Sequence, residues 1–233
     1  MKKIYFNRHL ESSESIYQSP SPAINELPEW YKKMDSFYDN NNKLSFNNGE
    51  LNQTIKRCVP VRDSLGLGYL LKLQSDIFVK QEDGLTPKFD WIISEKQVTE
   101  HSKEQLQGFP VPHEHFPVPY KWMNWKLIKT PPGYSTMFVH PLHRYDLPFT
   151  TLSGVVDTDK HNDLCIHFPF FIKDGFNGVI EKNTPIVQLI PFKRDSWKMI
   201  EGEPLDQNIG LQKHDSKLIN FYKNNSWTRK EFK

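Results

Sequence analysis

"TLSGVVDTDKHNDLCIHFPFFIKDGFNGVIEKNTPIVQLIPFK", residues 151–193, decides the fold class. Its apolar runs, "DLCIHFPFFI" and "TPIVQLIPF", are short and bounded by Gly, Asn and Asp, so each predicts a strand. Gly154, Gly175 and Gly178 mark bends, and Asp157 and Asp159 stand one residue apart in the first turn. Working upstream, "STMFVH" and "WKLIKT" add strands on either side of Gly133. "TIKRCVPVRDSLGLGYLLKLQSDIFVK" predicts two strands joined by a glycine-containing bend, and "FDWIIS" predicts another. Many short strands with regular turn signals indicate a mainly β barrel or sandwich rather than βαβ units.

Outside this region the texture changes. Residues 12–28, with Pro20, Pro22 and Pro28, predict an extended surface arm. "PEWYKKM" predicts one helical turn with Pro28 at its first position, and the Asn-rich stretch 38–53 predicts a loop or hairpin around Asn48 and Gly49. "VTEHSKEQLQGFP" predicts a short helix or turn, and "PVPHEHFPVPYKW" a proline-bound loop or edge. "QKHDSKLINFYKNNSWTRKEFK" predicts a helix with Leu218, Ile219 and Tyr222 on one face. The expected organisation is an irregular N-terminal arm and loop over 1–53, a β core domain over 54–200, and a C-terminal helix with a basic tail over 201–233.

Composition narrows the function classes. Apolar residues make up 37% and aromatics 13% of the 233 residues, with 17 prolines, which favours strands and structured loops. Thirty basic residues against 28 acidic ones leave a net charge of +2, no global case for nucleic acid or a membrane surface. No segment approaches the roughly 18 apolar residues of a membrane span, and "MKKIYF" is followed by no apolar signal region. Cys58 and Cys165 match no zinc spacing and suggest no disulfide scaffold. A soluble cytoplasmic protein is the expectation.

Over residues 131–193 the chain resembles the deoxyuridine triphosphatase family and its β-clip relatives, the deoxycytidine triphosphate deaminases. "PPGYSTMFVHPL", "GVVDTDK" and "NTPIVQL" follow in the order and approximate spacing of that family's motifs. The resemblance implies a β-clip-like barrel and a nucleotide pocket. In it Asp157 would orient and deprotonate an attacking water, Asp159 would be a structural carboxylate of the same turn, and Gln188 would lie on the phosphate side. Such roles suit a carboxylate and an amide in phosphoryl chemistry. The pattern also departs from the family. His140, Pro141 and Leu142 replace its Arg-Ser-Gly phosphate clamp, Lys160 its sugar-packing tyrosine and Leu71 its magnesium aspartate, and no glycine-rich C-terminal lid follows. A standard deoxyuridine triphosphatase is therefore not implied. "KRCVPVRD" followed by "GYLLKL", "TPPGYSTMFVHPLHRYDLPFTTLSGVVDTD" and "FPFFIKDG" carry a longer resemblance, over about 54–200, to a group of proteins of large tailed bacteriophages, which implies a viral protein acting in the host cytoplasm.

Other clusters carry competing readings. Asp157 and Asp159 could be turn acids that bond local N–H groups. "HPLHRYD" gathers His140, His143, Arg144 and Asp146, either an anion site or an Arg144–Asp146 surface pair. His113 and His115 in "HEH" would share one side of a strand, and His161 and Asp163 with a distant His214 match half of an iron triad, but solvated or hydrogen-bonded histidines account for the same residues. A divalent metal would suit a phosphohydrolase, yet the residues assign no metal ligands. The aromatic and basic tail 221–233 could stack on bases or dock on its own domain. The expected function is binding of a nucleotide or nucleotide-like ligand around Tyr134, His140, His143, Arg144, Asp157, Asp159 and Gln188, followed by hydrolysis or by sequestration. The alternative is a noncatalytic phage accessory or structural protein working through protein–protein contacts. Homo-oligomerisation is compatible with either.

Overall fold

Alternating apolar residues pair into antiparallel ladders throughout the computed structural model, which describes residues 2–9, 19–39, 46–47, 50–202 and 220–233. In chain order the first elements are β1 (Tyr5–Arg8), β2 (Ser21–Pro22), α1 (Glu29–Lys33), β3 (Phe46–Asn47), β4 (Glu50–Leu51) and α2 (Val59–Leu65). Then come β5 (Tyr69–Lys72), β6 (Ile77–Lys80), β7 (Lys88–Asp90), β8 (Val98–Glu100), β9 (Tyr120–Trp122) and β10 (Lys126–Lys129). The last are β11 (Tyr134–Val139), β12 (Phe149–Thr151), β13 (Gly154–Val156), β14 (Phe168–Ile172), β15 (Gly178–Ile180), β16 (Pro185–Lys193) and α3 (Phe221–Asn225).

The central sheet has the order β13-β11-β16-β5-β2, and a second sheet the order β12-β14-β9-β8. Smaller sheets are β15-β6-β7, β1-β10 and β3-β4. The protein is thus mainly β, and among the described residues none of these sheets closes on itself. The two larger sheets share a core in which Trp122 stacks on Phe170 at 3.7 Å between ring centroids and meets Phe149 edge-on at 5.0 Å. Burying such rings contributes about 2–3 kcal/mol each. Gly68 is forced by topology: its φ is +71°, and a Cβ there would lie 1.9 Å from the carbonyl oxygen of Leu189 on the neighbouring strand β16.

Several expectations need correction. The first strand expected in "TIKRCVPVRDSLGLG" is helix α2, because Pro60 suits a helix's first turn and Gly66 its end. The N-terminal segment is tied in rather than laid over the surface: Ser21 and Pro22 pair with β5, and Ala23 and Tyr31 are buried. Pro28 caps α1 from just outside instead of opening it. β3 and β4 form the expected hairpin, while Asn48 and Gly49 lie outside the described residues. Of the expected C-terminal helix the described residues show α3, Phe221–Asn225, with Leu218, Ile219 and His214 outside the described residues. The tail beyond it docks on its own chain: Trp227 Nε1 and Lys230 Nζ both donate to Asp63, each at 2.7 Å, and Phe232 packs edge-on to Tyr69. Among the described residues no helix is long and apolar enough to cross a membrane.

Candidate functional site

The expected site residues lie at opposite ends of one strand. Across β11 and β16, Tyr134 pairs with Lys193 and Val139 with Gln188. Five residues of antiparallel strand separate the two ends by roughly 17 Å. Asp157 and Asp159 belong to the Tyr134 end, while His140, His143, Arg144 and Gln188 gather at the other.

At the first end the two acids are turn acids with an added cation. Thr158 lies between them, completely buried, and its hydroxyl bonds those of Thr130 at 2.7 Å and Thr136 at 2.8 Å. That chain of hydroxyls anchors the turn and points the flanking carboxylates the other way. Asp157 Oδ1 accepts from Ser135 Oγ at 2.6 Å and lies 3.1 Å from Arg194 Nη1. Asp159 accepts from the Gly133 amide at 2.8 Å and from both terminal nitrogens of Arg194. Arg194 itself is held because its backbone amide donates to Gly133 O at 2.9 Å.

These contacts lower both acids. Hydrogen bonding from Ser135, then the charge of Arg194, holds Asp157 below the ordinary carboxylate value. The Arg194 hydrogen bonds hold Asp159 far below it. A strongly acidic carboxylate is a poor proton acceptor near neutrality. Asp159 is almost covered, its side chain 7% exposed, whereas the Asp157 side chain is 49% exposed.

Tyr134 turns away from the acids, as strand alternation requires of a neighbour of Ser135. Its ring lines a cleft of about 380 Å3 between the first and last described segments of the chain, with Tyr5, Tyr69, Lys2, Lys3 and Lys233. Lys2 Nζ stands 5.7 Å from the Tyr134 ring centroid, within cation–π range. Sequence reasoning found Tyr134 but not its partners. Only "MKKIY" as a basic-aromatic string pointed to them, since the tail and β5 reach the cleft through tertiary pairing.

At the second end, polar side chains are spent on the fold. Gln188 is 1% exposed; its Oε1 accepts from the Leu142 amide at 3.0 Å, and its Nε2 donates to Ser64 O at 3.0 Å and Leu67 O at 2.6 Å. Both amide protons are consumed in tying α2 to the 140–146 loop. His140 Nε2 lies 3.1 Å from Arg144 O, a carbonyl that can only accept, so Nε2 carries the proton and Nδ1 accepts from the Thr151 amide at 3.3 Å. Burial lowers the His140 pKa and keeps the ring neutral.

His143 adopts φ +61° and reaches Ser64 Oγ at 2.9 Å. Ser64 already donates to Val61 O at 2.8 Å, so the pair is arranged with His143 as donor and Ser64 is not an activated nucleophile. Arg144 and Asp146 form the surface pair, with contacts of 2.9 and 3.1 Å.

The histidine clusters weighed as metal sites do not assemble among the described residues, and His214 lies outside them. "HEH" is not a strand: Glu114 sits at φ +60°, His113 is exposed, and His115 bonds His113 O and Thr150 Oγ1. Among the described residues no group of three or more His, Cys, Asp or Glu is placed to hold a metal ion. Cys58 and Cys165 are free thiols. No protein-family model matches the chain, and no curated protein matches it.

Proposed function

We propose that the protein binds a nucleotide-like ligand, an anion bearing an aromatic ring, in the cleft lined by Tyr134. The observation that carries this reading is the convergence of Tyr5, Tyr69 and Tyr134 with Lys2, Lys3 and Lys233 around about 380 Å3, where Glu231, paired with Lys233 at 3.3 Å, offsets one of the three cations. Aromatic faces stack on a base in a sequence-tolerant way, and lysines neutralise phosphate charge. The volume falls within the range of small-molecule sites.

Sequestration fits better than hydrolysis. Asp157, the residue the β-clip resemblance would make the base, is hydrogen-bonded to Ser135 and charge-paired with Arg194, and both contacts stabilise its anion against taking up a proton. The β-clip kinship and a bacteriophage source belong to the same proposal. They would make the ligand a nucleotide signal or precursor of the infected host.

The test is a thermal-shift series with deoxynucleotides and cyclic nucleotides on the wild type, Tyr134→Ala, Lys3→Glu and Asp157→Ala. A ligand at 100 times its Kd stabilises the fold by about 2.7 kcal/mol. The expected shift is lost in the first two variants and kept, from a lower baseline, in Asp157→Ala, with the nucleotide recovered intact. No shift with any nucleotide, or turnover that Asp157→Ala abolishes, would overturn the reading.

A further inference from the structure

The segment following β16 leaves the body of the protein. Asp195–Gly202 is exposed at every position, and among the described residues its backbone makes no hydrogen bond to the rest of the chain. It nonetheless carries three large apolar side chains: Trp197 is 91% exposed, Met199 95% and Ile200 77%. Full exposure of three such groups in four residues is costly, since a buried Trp removes about 150–250 Å2 from water. Patches of this kind mark interaction sites.

The surface that complements this segment lies at the second end of β11. A cleft of about 440 Å3 runs beside the 140–146 loop, floored by Pro141, Leu147 and Phe149 and flanked by Tyr145, itself 80% exposed. Its cationic side chains are Arg144 and Lys173, His115, His140 and His143 line it beside them, and no carboxylate does. The exposed segment has a net charge of −1, with Asp195 on one side of Trp197 and Glu201 on the other and Lys198 beside Trp197. An apolar core with complementary charges at its rim is the anatomy of a specific interface, and Trp is the residue most often found at its energetic centre. Asp195 is engaged with Lys193 in an exposed pair that exchanges partners at little cost, whereas Arg144, 17% exposed and bonded through two nitrogens to Asp146, stays with its own chain.

We infer that residues 195–202 of one copy seat Trp197 in the cleft beside Tyr145 of a second copy. Because each copy offers both an arm and a cleft, two reciprocal insertions close a twofold dimer with no unsatisfied surface of this kind. This exchange is independent of the Tyr134 cleft, which lies at the other end of β11.

Sedimentation velocity across a wide concentration range tests it on the full chain. The wild type is expected to dimerise, and Trp197→Ala, at a position too exposed to affect folding, to weaken the dimer at least about tenfold, as loss of a central Trp does. Tyr145→Ser and Lys173→Glu on the receiving surface are expected to weaken it as well. A monomer at every concentration overturns the inference, as does a dimer indifferent to Trp197→Ala. A dimer that needs Trp197 but ignores both cleft variants places the arm elsewhere and overturns the assigned cleft. A monomer whose Trp197 fluorescence is nonetheless shielded places the arm on its own chain and overturns the exchange. Nucleotide-induced thermal shifts measured on Trp197→Ala separate failure here from failure of the ligand reading.

Discussion

Arg194 grips Asp159 with both of its terminal nitrogens and, through the same guanidinium, faces Asp157. One residue beyond β16 therefore locks the turn after β13. Because Arg194 holds Asp159, and Ser135 followed by Arg194 holds Asp157, below their ordinary value of 3.8, the stability they contribute is full above that pH and is lost as pH falls towards their folded values. Arg194→Met is expected to lower Tm clearly at pH 7, and more than Asp157→Asn, which keeps a Ser135 partner. Urea unfolding of wild type and Arg194→Met should converge as pH drops below 3.8. A constant gap down to pH 2 would show that the arginine acts by packing alone.

Gln188 tests the other end of β11. Truncation to Ala would strand the Leu142 amide and the Leu67 carbonyl, while Ser64 O keeps the Leu67 amide as a donor. At about 1 kcal/mol or more for each unsatisfied group, the expected loss is about 2 kcal/mol, or roughly 4–8 °C in Tm for a domain of this size. Gln188→Glu separates the contacts: it retains an acceptor for Leu142 but turns an oxygen towards two carbonyl oxygens. It should destabilise comparably in chemical denaturation. A neutral Gln188→Ala would return the residue to the ligand-facing role that its sequence motif suggested.

These two residues show how far the sequence could be read. β10, β11, β14 and β16 were visible as apolar runs between turn residues, and the Asp157–Asp159 turn was visible from Gly154 onward. Arg194 was not, because the contact joins residues 35 apart through the β11–β16 register, which pattern within a segment does not specify. A hint existed in "PFKRD", where β16 ends in Lys193 and Arg194 follows it. α2 was misread although Pro60 and Gly66 bracketed it, because "CVPV" alternates like a strand over too short a span. The Tyr134 cleft was the least visible feature, being assembled from residues 2–5, 69, 134 and 231–233.

His140 gives the fold an acid sensitivity in a second window. Burial lowers its pKa below the ordinary 6.5, as it does for His167, so the unfolded chain takes up protons first. The sign follows: stability falls as pH drops from about 6.5 towards the folded values. Equilibrium unfolding at pH 7.5 and 5.5 should show the loss, and His140→Gln, which can keep both a donor and an acceptor, should reduce it without removing the His167 share. A variant with the wild-type slope would mean that His140 protonates in place and its hydrogen bonds do not fix its tautomer.

Lys126 provides the opposite limb. It is 4% exposed at the start of β10, and burial pushes its ammonium down to about 8 from an ordinary 10.5. Between those values the unfolded chain binds the proton that the folded chain has released, so folding stability rises with pH. At pH 7 the buried ammonium costs the fold up to about 3 kcal/mol, taking 1.36 kcal/mol for each pH unit of displacement. Lys126→Met keeps the stem's volume and removes the charge, so it should stabilise the protein at pH 7 by an amount that shrinks towards pH 10. Guanidinium midpoints for the two proteins at pH 7, 8.5 and 10 measure this directly. A pH-independent difference would show that packing of the side chain, and not its protonation, decides the effect, because only a titrating ammonium makes the two curves approach each other.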